Sequence, residues 1–179
     1  MDSEKSEKTE ETAEGKSGFI VLLRHGIAED RTAGKPDDDR SLTSEGHAKM
    51  KWIARGLERA FPKAQAIYTS PLLRAMQTAL WVSKAYRSRV AVTTDDAVAP
   101  GHGTDELRDL IARIRERRVI FVGHEPNLSE NFAALVGLNG RRMELKKGGC
   151  YGIRVNEDGS AELEWMLTPR VLRKLGEEK

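Results

Sequence analysis

Hydrophobic positions along the chain alternate between short runs and helical repeats. Four runs rich in β-branched residues predict strands over residues 19–23, 66–69, 89–94 and 118–124. Between these runs, apolar residues recur every three or four positions, which indicates amphipathic helices. Strands that alternate with helices are typical of βαβ units, so the pattern predicts a largely parallel sheet between helical layers.

The last third of the chain has a different pattern. Residues 150–167 predict two strands joined by a turn at 157–159, which favours an antiparallel hairpin. A short helix is predicted from Pro169 to Leu175, and Thr43 or Ser44 is the predicted N-cap of the first helix. We therefore predict an α/β fold: a three-layer sandwich with a mostly parallel central sheet flanked by helices, and an antiparallel element near the C-terminus.

The first 17 residues differ in composition from the rest. They contain six acidic residues, three lysines and no aromatic residue, a net charge of −3 against +2 for the whole chain. Such a segment cannot bury enough apolar surface to offset the entropy of ordering. We expect a disordered acidic tail over residues 1–17 and one folded domain over residues 18–179.

Composition also limits the cellular context and the partners. The domain without its tail is mildly basic, which favours anionic ligands but is too weak a bias to indicate nucleic acid. No apolar run approaches the 18 residues of a transmembrane helix, so we expect no membrane association. A single cysteine, Cys150, excludes an internal disulfide, which favours a cytoplasmic location. The oligomeric state is not predicted.

Polar side chains follow three of the four predicted parallel strands. Arg24 and His25 end the first strand, Ser70 and then Arg74 follow the second, and His124 ends the fourth. In an open α/β sheet, ligands bind outside the carboxyl ends of the strands. We therefore expect these side chains to converge at one edge of the sheet.

Two arginines and two histidines suit a phosphoryl group better than a metal. Guanidinium groups bind phosphate oxygens and disfavour a cation between them, which argues against zinc on His25 and His124. Phosphoryl transfer needs mainly positioning and electrostatic stabilisation. Arg24, Arg74 and His124 can hold the phosphoryl oxygens, which leaves His25 as the nucleophile. Gly26 is expected to allow close approach and a positive φ. We expect no metal and no other cofactor.

Four sequence blocks resemble the histidine phosphatase (phosphoglycerate mutase-like) superfamily. They are LLRHG at 22–26, LTSEG at 42–46, SPLLRAMQTA at 70–79 and VGHEPNLS at 122–129, and they occur in the order and spacing of that family. The resemblance covers about residues 19–175 and is greatest to the SixA-type phosphohistidine phosphatases. It implies that His25 becomes phosphorylated. It also implies a phosphate-binding set made of Arg24, Arg74 and His124, with Ser70 as a further substrate-binding residue. Ser70 and Thr78 equally suit a supporting role through local hydrogen bonds.

One position departs from the family pattern. Phosphoglycerate mutase-like members carry a glutamate as general acid after the third strand, where this chain has Ala97 in the best register. His102, Asp105 and Glu125 are the candidates for an acid, a base or a supporting group. Glu125 could also orient the neighbouring imidazole or form a surface ion pair, and the ion pair is the preferred interpretation. An imidazole leaves phosphohistidine more easily than an alkoxide leaves an ester, so a missing acid favours phosphoramidate substrates.

The resemblance therefore implies a metal-independent hydrolase that dephosphorylates phosphohistidine on a protein. Two alternatives remain: a phosphatase for small phosphate monoesters, and a non-catalytic module that binds phosphorylated partners. Seven basic residues could surround an open site and meet an acidic partner, although ordinary surface charge is the preferred interpretation. They are Arg115, Arg117, Arg118, Arg141, Arg142, Lys146 and Lys147.

Overall fold

A computed structural model describes residues 17–138 and 143–177. It contains one six-stranded sheet with the strand order β3-β2-β4-β1-β5-β6. The strands are β1 Gly18–Arg24, β2 Ala66–Thr69, β3 Ala91–Thr94, β4 Arg118–Gly123, β5 Cys150–Val155 and β6 Ala161–Leu167. All of the predicted tail except Ser17 lies outside the described residues.

The first four strands form the parallel part of the sheet. β4 lies between β1 and β2 and pairs in parallel with both, and β3 extends the sheet beyond β2. In β1, Ile20 and Leu22 pack on one face while Val21 and Leu23 pack on the other. A strand that is apolar on both sides must be covered on both faces. This explains why the run at 19–23 lacks the alternation of a half-exposed strand.

The antiparallel element is the predicted hairpin. β5 pairs antiparallel with β1, and β6 pairs antiparallel with β5 at the sheet edge. The register shifts between Gly152 and Ile153, where a Cβ on Gly152 would stand 2.2 Å from the Trp165 ring. The hairpin thus protects the open side of β1, which carries the nucleophile candidate at its end.

Within the described residues, five α-helices cover the sheet. They are α1 Ser44–Ala60, α2 Leu73–Ala85, α3 Thr104–Arg113, α4 Asn127–Leu135 and α5 Pro169–Glu177. Buried residues of α1, α2 and α5 pack on one face, and those of α3 and α4 pack on the other. The three-layer α/β sandwich predicted from the sequence is confirmed. Among the described residues, no helix has the length and apolar content needed to cross a membrane.

A side-chain cap fixes the start of α1, and two close backbone contacts hold α5 against α1. Thr43 caps α1 by accepting a hydrogen bond from the Gly46 N–H at 2.9 Å. α5 lies so close to α1 that a Cβ on Gly56 would stand 1.9 Å from the Leu172 carbonyl oxygen. A Cβ on Gly176 would meet the Trp52 carbonyl oxygen at 2.0 Å. Side chains larger than glycine at these positions would push α5 away from α1.

Candidate active site

The ends of three parallel strands bring the predicted side chains together. Arg24 is in register with Gly123, and the His25 N–H donates to the Gly123 carbonyl at 3.0 Å. The Ser70 N–H donates to the Val122 carbonyl at 3.0 Å, which holds the end of β2 beside β4. A cleft of about 670 Å³ opens at this edge, and Arg24, His25, Arg74 and His124 all line it.

His25 has its tautomer fixed by the backbone. Its Nδ1 lies 2.7 Å from the Gly26 carbonyl oxygen, which can only accept, so Nδ1 carries the proton and Nε2 keeps its lone pair. Burial lowers the pKa of His25 to about 3, aided by the charges of Arg74, Arg24 and Lys147, although the Gly26 contact opposes the shift. The imidazole is neutral at pH 7, as a nucleophile requires.

His124 lies opposite, with its ring centroid 5.0 Å from that of His25. Its Nε2 is 2.8 Å from Ser70 Oγ, and its Nδ1 is buried and has no hydrogen-bond partner within the described ranges. Burial lowers the pKa of His124 to about 3, with contributions from the charges of His25 and Arg74. Ser70 itself is fully buried and does not line the cleft. Of the two roles expected for Ser70, its contact matches the supporting one, because Ser70 positions His124.

Arg74 is held by a residue that the sequence did not single out. Its Nη2 donates to Asp37 Oδ2 at 2.8 Å and its Nη1 donates to the Asp37 carbonyl oxygen at 2.7 Å. Burial would raise the pKa of Asp37. The hydrogen bond and charge of Arg74 oppose this effect, and hydrogen bonds from Arg31 and Arg40 help, so the pKa of Asp37 is about 2. Asp37 is thus ionised across the functional pH range and fixes the orientation of the Arg74 guanidinium.

Arg24 is held by the segment that leads into β5. Its Nη1 donates to Glu144 Oε1 at 3.2 Å and also to the Leu145 carbonyl oxygen. The Gly148 N–H donates to the carbonyl oxygens of Arg24 and His25, both at 3.1 Å. The Nε atoms of Arg24 and Arg74 are buried and, across the part of the chain that the structure describes, have no hydrogen-bond partner. These donors suit phosphoryl oxygens.

Glu125 braces that same segment. Its Oε1 accepts from the Leu145 N–H at 3.0 Å and its Oε2 accepts from Ser129 Oγ at 2.6 Å. Neither contact orients an imidazole or forms an ion pair, the two roles that we expected for it. Through Leu145, Glu125 helps to place Arg24.

Only one of the two reasons predicted for Gly26, the close approach, agrees with the structure. Its φ is not positive, and the expectation of a left-handed turn is wrong. A Cβ at Gly26 would stand 2.7 Å from Met50 Cγ and 3.2 Å from Leu42 Cδ2. The Gly26 N–H donates to Thr78 Oγ1 at 3.0 Å, and Thr78 in turn donates to the Arg74 carbonyl oxygen at 2.7 Å. Close packing and this link between β1 and α2 fix the nucleophile, and Thr78 has the predicted supporting role.

The candidates for a general acid lie in different places. His102 and Glu125 line the cleft, whereas Asp105 lies on the exposed side of α3 beside Arg108 and does not line it. His102 is on the turn between Pro100 and Gly103, and Asn127 Nδ2 donates to its carbonyl oxygen at 2.5 Å. Ala97 is 6% exposed and packs in the core. The position that the sequence register assigns to the family glutamate is therefore a buried core position.

The basic residues considered for a rim are divided between both ends of the sheet, in agreement with the preferred interpretation as ordinary surface charge for those far from the cleft. Lys147 lines the cleft. Arg115, Arg117 and Arg118 precede or begin β4, so they lie at the opposite end from His25. Arg141 and Arg142 lie outside the described residues. Lys146 is exposed next to Lys147.

Sequence reasoning missed Asp37 and Glu144, which orient the two arginines. A local signal for Asp37 exists in the sequence, since three consecutive aspartates precede Arg40 and the LTSEG block. Glu144 has no such signal, because it is 120 residues from its partner.

Comparisons with known proteins identify the family of this chain. The family model of the histidine phosphatase superfamily (branch 1) matches residues 20–99, which include His25 and Arg74. An uncharacterised protein of Picosynechococcus sp. (strain PCC 7002) is 32% identical over 149 residues, which cover 81% of this chain and 88% of that protein.

Solved structures share the fold at lower identity. The protein histidine phosphatase SixA complexed with tungstate has a TM-score of 0.76 and 20% identity, covering 86% of this chain and 99% of that one. A phosphoserine phosphatase mutant from Entamoeba histolytica, in complex with phosphoserine, has a TM-score of 0.68 and 17% identity over 87% and 99% of the two chains. With a curated relative above 30% identity over most of its length and a matching family model, this chain belongs to the histidine phosphatase superfamily.

Proposed function

We propose that this protein is a phosphatase that removes the phosphoryl group from phosphohistidine on another protein, through a covalent intermediate on His25. The observation that carries the proposal is the neutral His25. Its Nδ1–H donates to the Gly26 carbonyl oxygen, and its ring centroid lies 5.0 Å from that of His124. Two arginines with fixed orientation lie in the same cleft. This set has a nucleophile and donors for all the non-bridging phosphoryl oxygens.

In the first step, the Nε2 lone pair of His25 attacks phosphorus. A P–N bond forms to His25 while the P–N bond to the substrate imidazole breaks, and that imidazole leaves with the bonding electron pair and takes up a proton. Arg24, Arg74 and His124 stabilise the charge on the transferring group. In the second step, water attacks phosphorus, the bond to His25 breaks, and inorganic phosphate is released with His25 neutral again.

The absent acid supports a phosphoramidate substrate. General acid catalysis contributes about 10²–10⁴-fold where the leaving group is poor. An imidazole leaves readily, so an enzyme for phosphohistidine does not need a carboxylate where Ala97 is buried. The 670 Å³ cleft is also large enough to accept a side chain that remains attached to a protein.

Small phosphate monoesters are the second candidate substrates. The observation that favours them is His102, a titratable group that lines the cleft and could protonate an alkoxide. A protein of similar fold, the Entamoeba enzyme, is a phosphoserine phosphatase.

A rapid-quench experiment tests the proposal. Wild-type protein is mixed with a ³²P-phosphohistidine peptide, with ³²P-phosphoserine and with an aryl phosphate, and both labelled enzyme and free phosphate are counted. We expect an acid-labile, base-stable label, and fastest turnover on phosphohistidine. His25→Ala should lose both label and turnover.

His47→Ala is the matched control, because His47 does not line the cleft and its Nδ1 accepts a hydrogen bond from Trp81 Nε1. Full turnover by His25→Ala would refute the mechanism. Faster turnover of phosphoserine than of phosphohistidine would favour the monoester function. Tight binding of vanadate without any turnover would indicate a binding module.

A further inference from the structure

A second cavity lies beside the catalytic cleft, between α1, α5 and the segment that precedes β5. Its volume is about 220 Å³. Small-molecule sites usually have about 300–1,000 Å³, so this space suits one protein side chain better than a whole metabolite. We call it the docking groove. Its apolar floor includes Met50, Ile53 and Pro169.

The groove is continuous with the active site. Gly26, which follows the nucleophile directly, lines the groove, and Lys147 lines both the groove and the cleft. Lys147 is near enough for its charge to lower the pKa of His25. A chain that places a phosphorylated side chain on His25 therefore passes beside the groove.

The charged residues around the groove have one sign. Lys49, Lys147, Arg170 and Arg173 line it, and no acidic residue does. Lys49 is paired with Glu45 at 2.5 Å. Within the described ranges, the other three form no salt bridge with any acidic residue. The charge of Arg173 also lowers the pKa of Glu45, so a partner's carboxylate would share Arg173 with Glu45. A cationic rim around an apolar floor complements a segment with carboxylates on either side of an apolar residue.

The groove is rigidly built. A Cβ at Gly148, whose φ is +80°, would meet Ile53 Cδ1 at 2.8 Å, so the Lys147 segment lies directly on the groove floor. α5 is held on α1 by the close contacts of Gly56 and Gly176. The spacing of Arg170 and Arg173, one helical turn apart on α5, is therefore fixed before a partner arrives, which reduces the ordering cost of binding.

We propose that the docking groove binds an acidic segment of the phosphorylated protein substrate, with an apolar side chain on its floor and carboxylates on Lys147, Arg170 and Arg173. This inference rests on the proposed phosphatase function and extends it to substrate choice. The groove selects the protein that carries the phosphohistidine, while the cleft performs the chemistry.

Matched peptides test the groove. Phosphohistidine peptides carry flanks of about six residues on each side, a reach of about 20 Å, in which leucine alternates with either glutamate or glutamine. With wild-type protein, we expect kcat/KM for the glutamate peptide to exceed that for the glutamine peptide by up to about tenfold, mainly through KM. The preference should fall as salt rises, because exposed charges are screened.

Charge changes on α5 should remove this preference. Arg170→Gln/Arg173→Gln should reduce the ratio between the two peptides to about one, and turnover of N-phosphoimidazole, which has no flanks, should stay unchanged. The matched control is Arg89→Gln/Arg115→Gln, which makes the same charge change at the opposite end of the sheet. A preference that survives in the α5 variant, or that is absent from wild type, would overturn the proposal.

Two further measurements separate a failure of the groove from a failure of turnover, and a partner's segment from this chain's own N-terminal segment. Binding of the unphosphorylated glutamate peptide, followed by fluorescence anisotropy, tests the groove even if no peptide is turned over. It should weaken in the α5 variant and not in the control. If removing residues 1–16 tightens peptide binding to wild type but not to the α5 variant, the occupant is this chain's own acidic N-terminal segment, and the proposal for a partner is wrong.

Discussion

On one side of the catalytic cleft, His25 and His124 follow the ends of buried strands. The His25 ring is hydrogen-bonded to the Gly26 carbonyl, and the His124 ring is hydrogen-bonded to Ser70. On the other side, residues 95–103 form a short 3₁₀ turn and a loop, with Ala97 buried and His102 at the edge of the cleft. The first side holds two buried imidazoles beside two oriented arginines, whereas the second contributes His102 as its titratable side chain at the cleft. If the proposed function is correct, this difference suits a substrate whose leaving group departs readily.

The largest effect should come from the phosphoryl side. Arg74→Lys removes the planar fork that Asp37 orients and leaves one movable ammonium group. We expect kcat/KM for phosphohistidine peptide to fall by about 10²–10³-fold, the usual cost of losing a transition-state donor. Arg113→Lys, at the exposed pair with Asp95, is the control and should be close to wild type. An equal loss in both variants would contradict the special role of Arg74.

Ala97→Glu tests the other side directly. A carboxylate at this buried position has no partner, so we expect the free energy of unfolding to fall by about 3 kcal/mol in urea denaturation. Ala97→Gln has nearly the same shape without the charge and should cost less. Turnover of an aryl phosphate should not rise in either variant. A gain of monoester activity with Ala97→Glu would show that this position faces the leaving group.

Acid should destabilise the phosphoryl side. His25 and His124 have pKa values of about 3 in the folded protein, below the ordinary 6.5. Below pH 6.5 the unfolded chain binds protons that the folded protein does not, so stability falls as pH drops from 6.5 towards 3. We expect Tm to fall by several degrees between pH 7 and pH 4, and His25→Asn to flatten this slope while His47→Asn does not. An identical slope in all three proteins would contradict the low pKa of His25.

Asp37→Asn should weaken the orientation of Arg74 without removing it. The Asp37 carbonyl still accepts from Arg74, so we expect a loss in kcat/KM of about tenfold, mainly in kcat. Asp95→Asn removes an exposed ion pair of the same type and should have little effect. A lower KM in Asp37→Asn would mean that Asp37 competes with the substrate for Arg74.

The smallest effect should come from His102. His102→Gln should leave phosphohistidine turnover within about twofold, because the imidazole leaving group needs little help, and should lower aryl phosphate turnover by about tenfold at most. Asp105→Asn, outside the cleft, should change neither rate. A large loss on phosphohistidine with His102→Gln would remove the contrast between the two sides of the cleft.

Strong local patterns predicted most of the fold and the center of the site. The run at 19–23, the helical repeat from Met50 and the hairpin at 150–167 all have the expected structure. Arg24, His25, Arg74 and His124 could be predicted together, because parallel strands present their carboxyl ends at one edge. The partners of Ser70, Gly26 and Glu125 could not, since each of these residues contacts a neighbour distant in sequence.

The sequence by itself determined the order of strands and helices and the convergence of two arginines and two histidines. Periodicity and motif spacing are local, and they persist in any fold that buries the apolar runs. Only the tertiary structure decided that Asp37 and Glu144 orient the arginines and that burial keeps both histidines neutral. It also decided that Gly26 packs against Met50 and that a cationic groove adjoins the cleft. These features arise from contacts between segments far apart in the chain. A local pattern can mark a residue such as Asp37, but it does not give the partner of that residue.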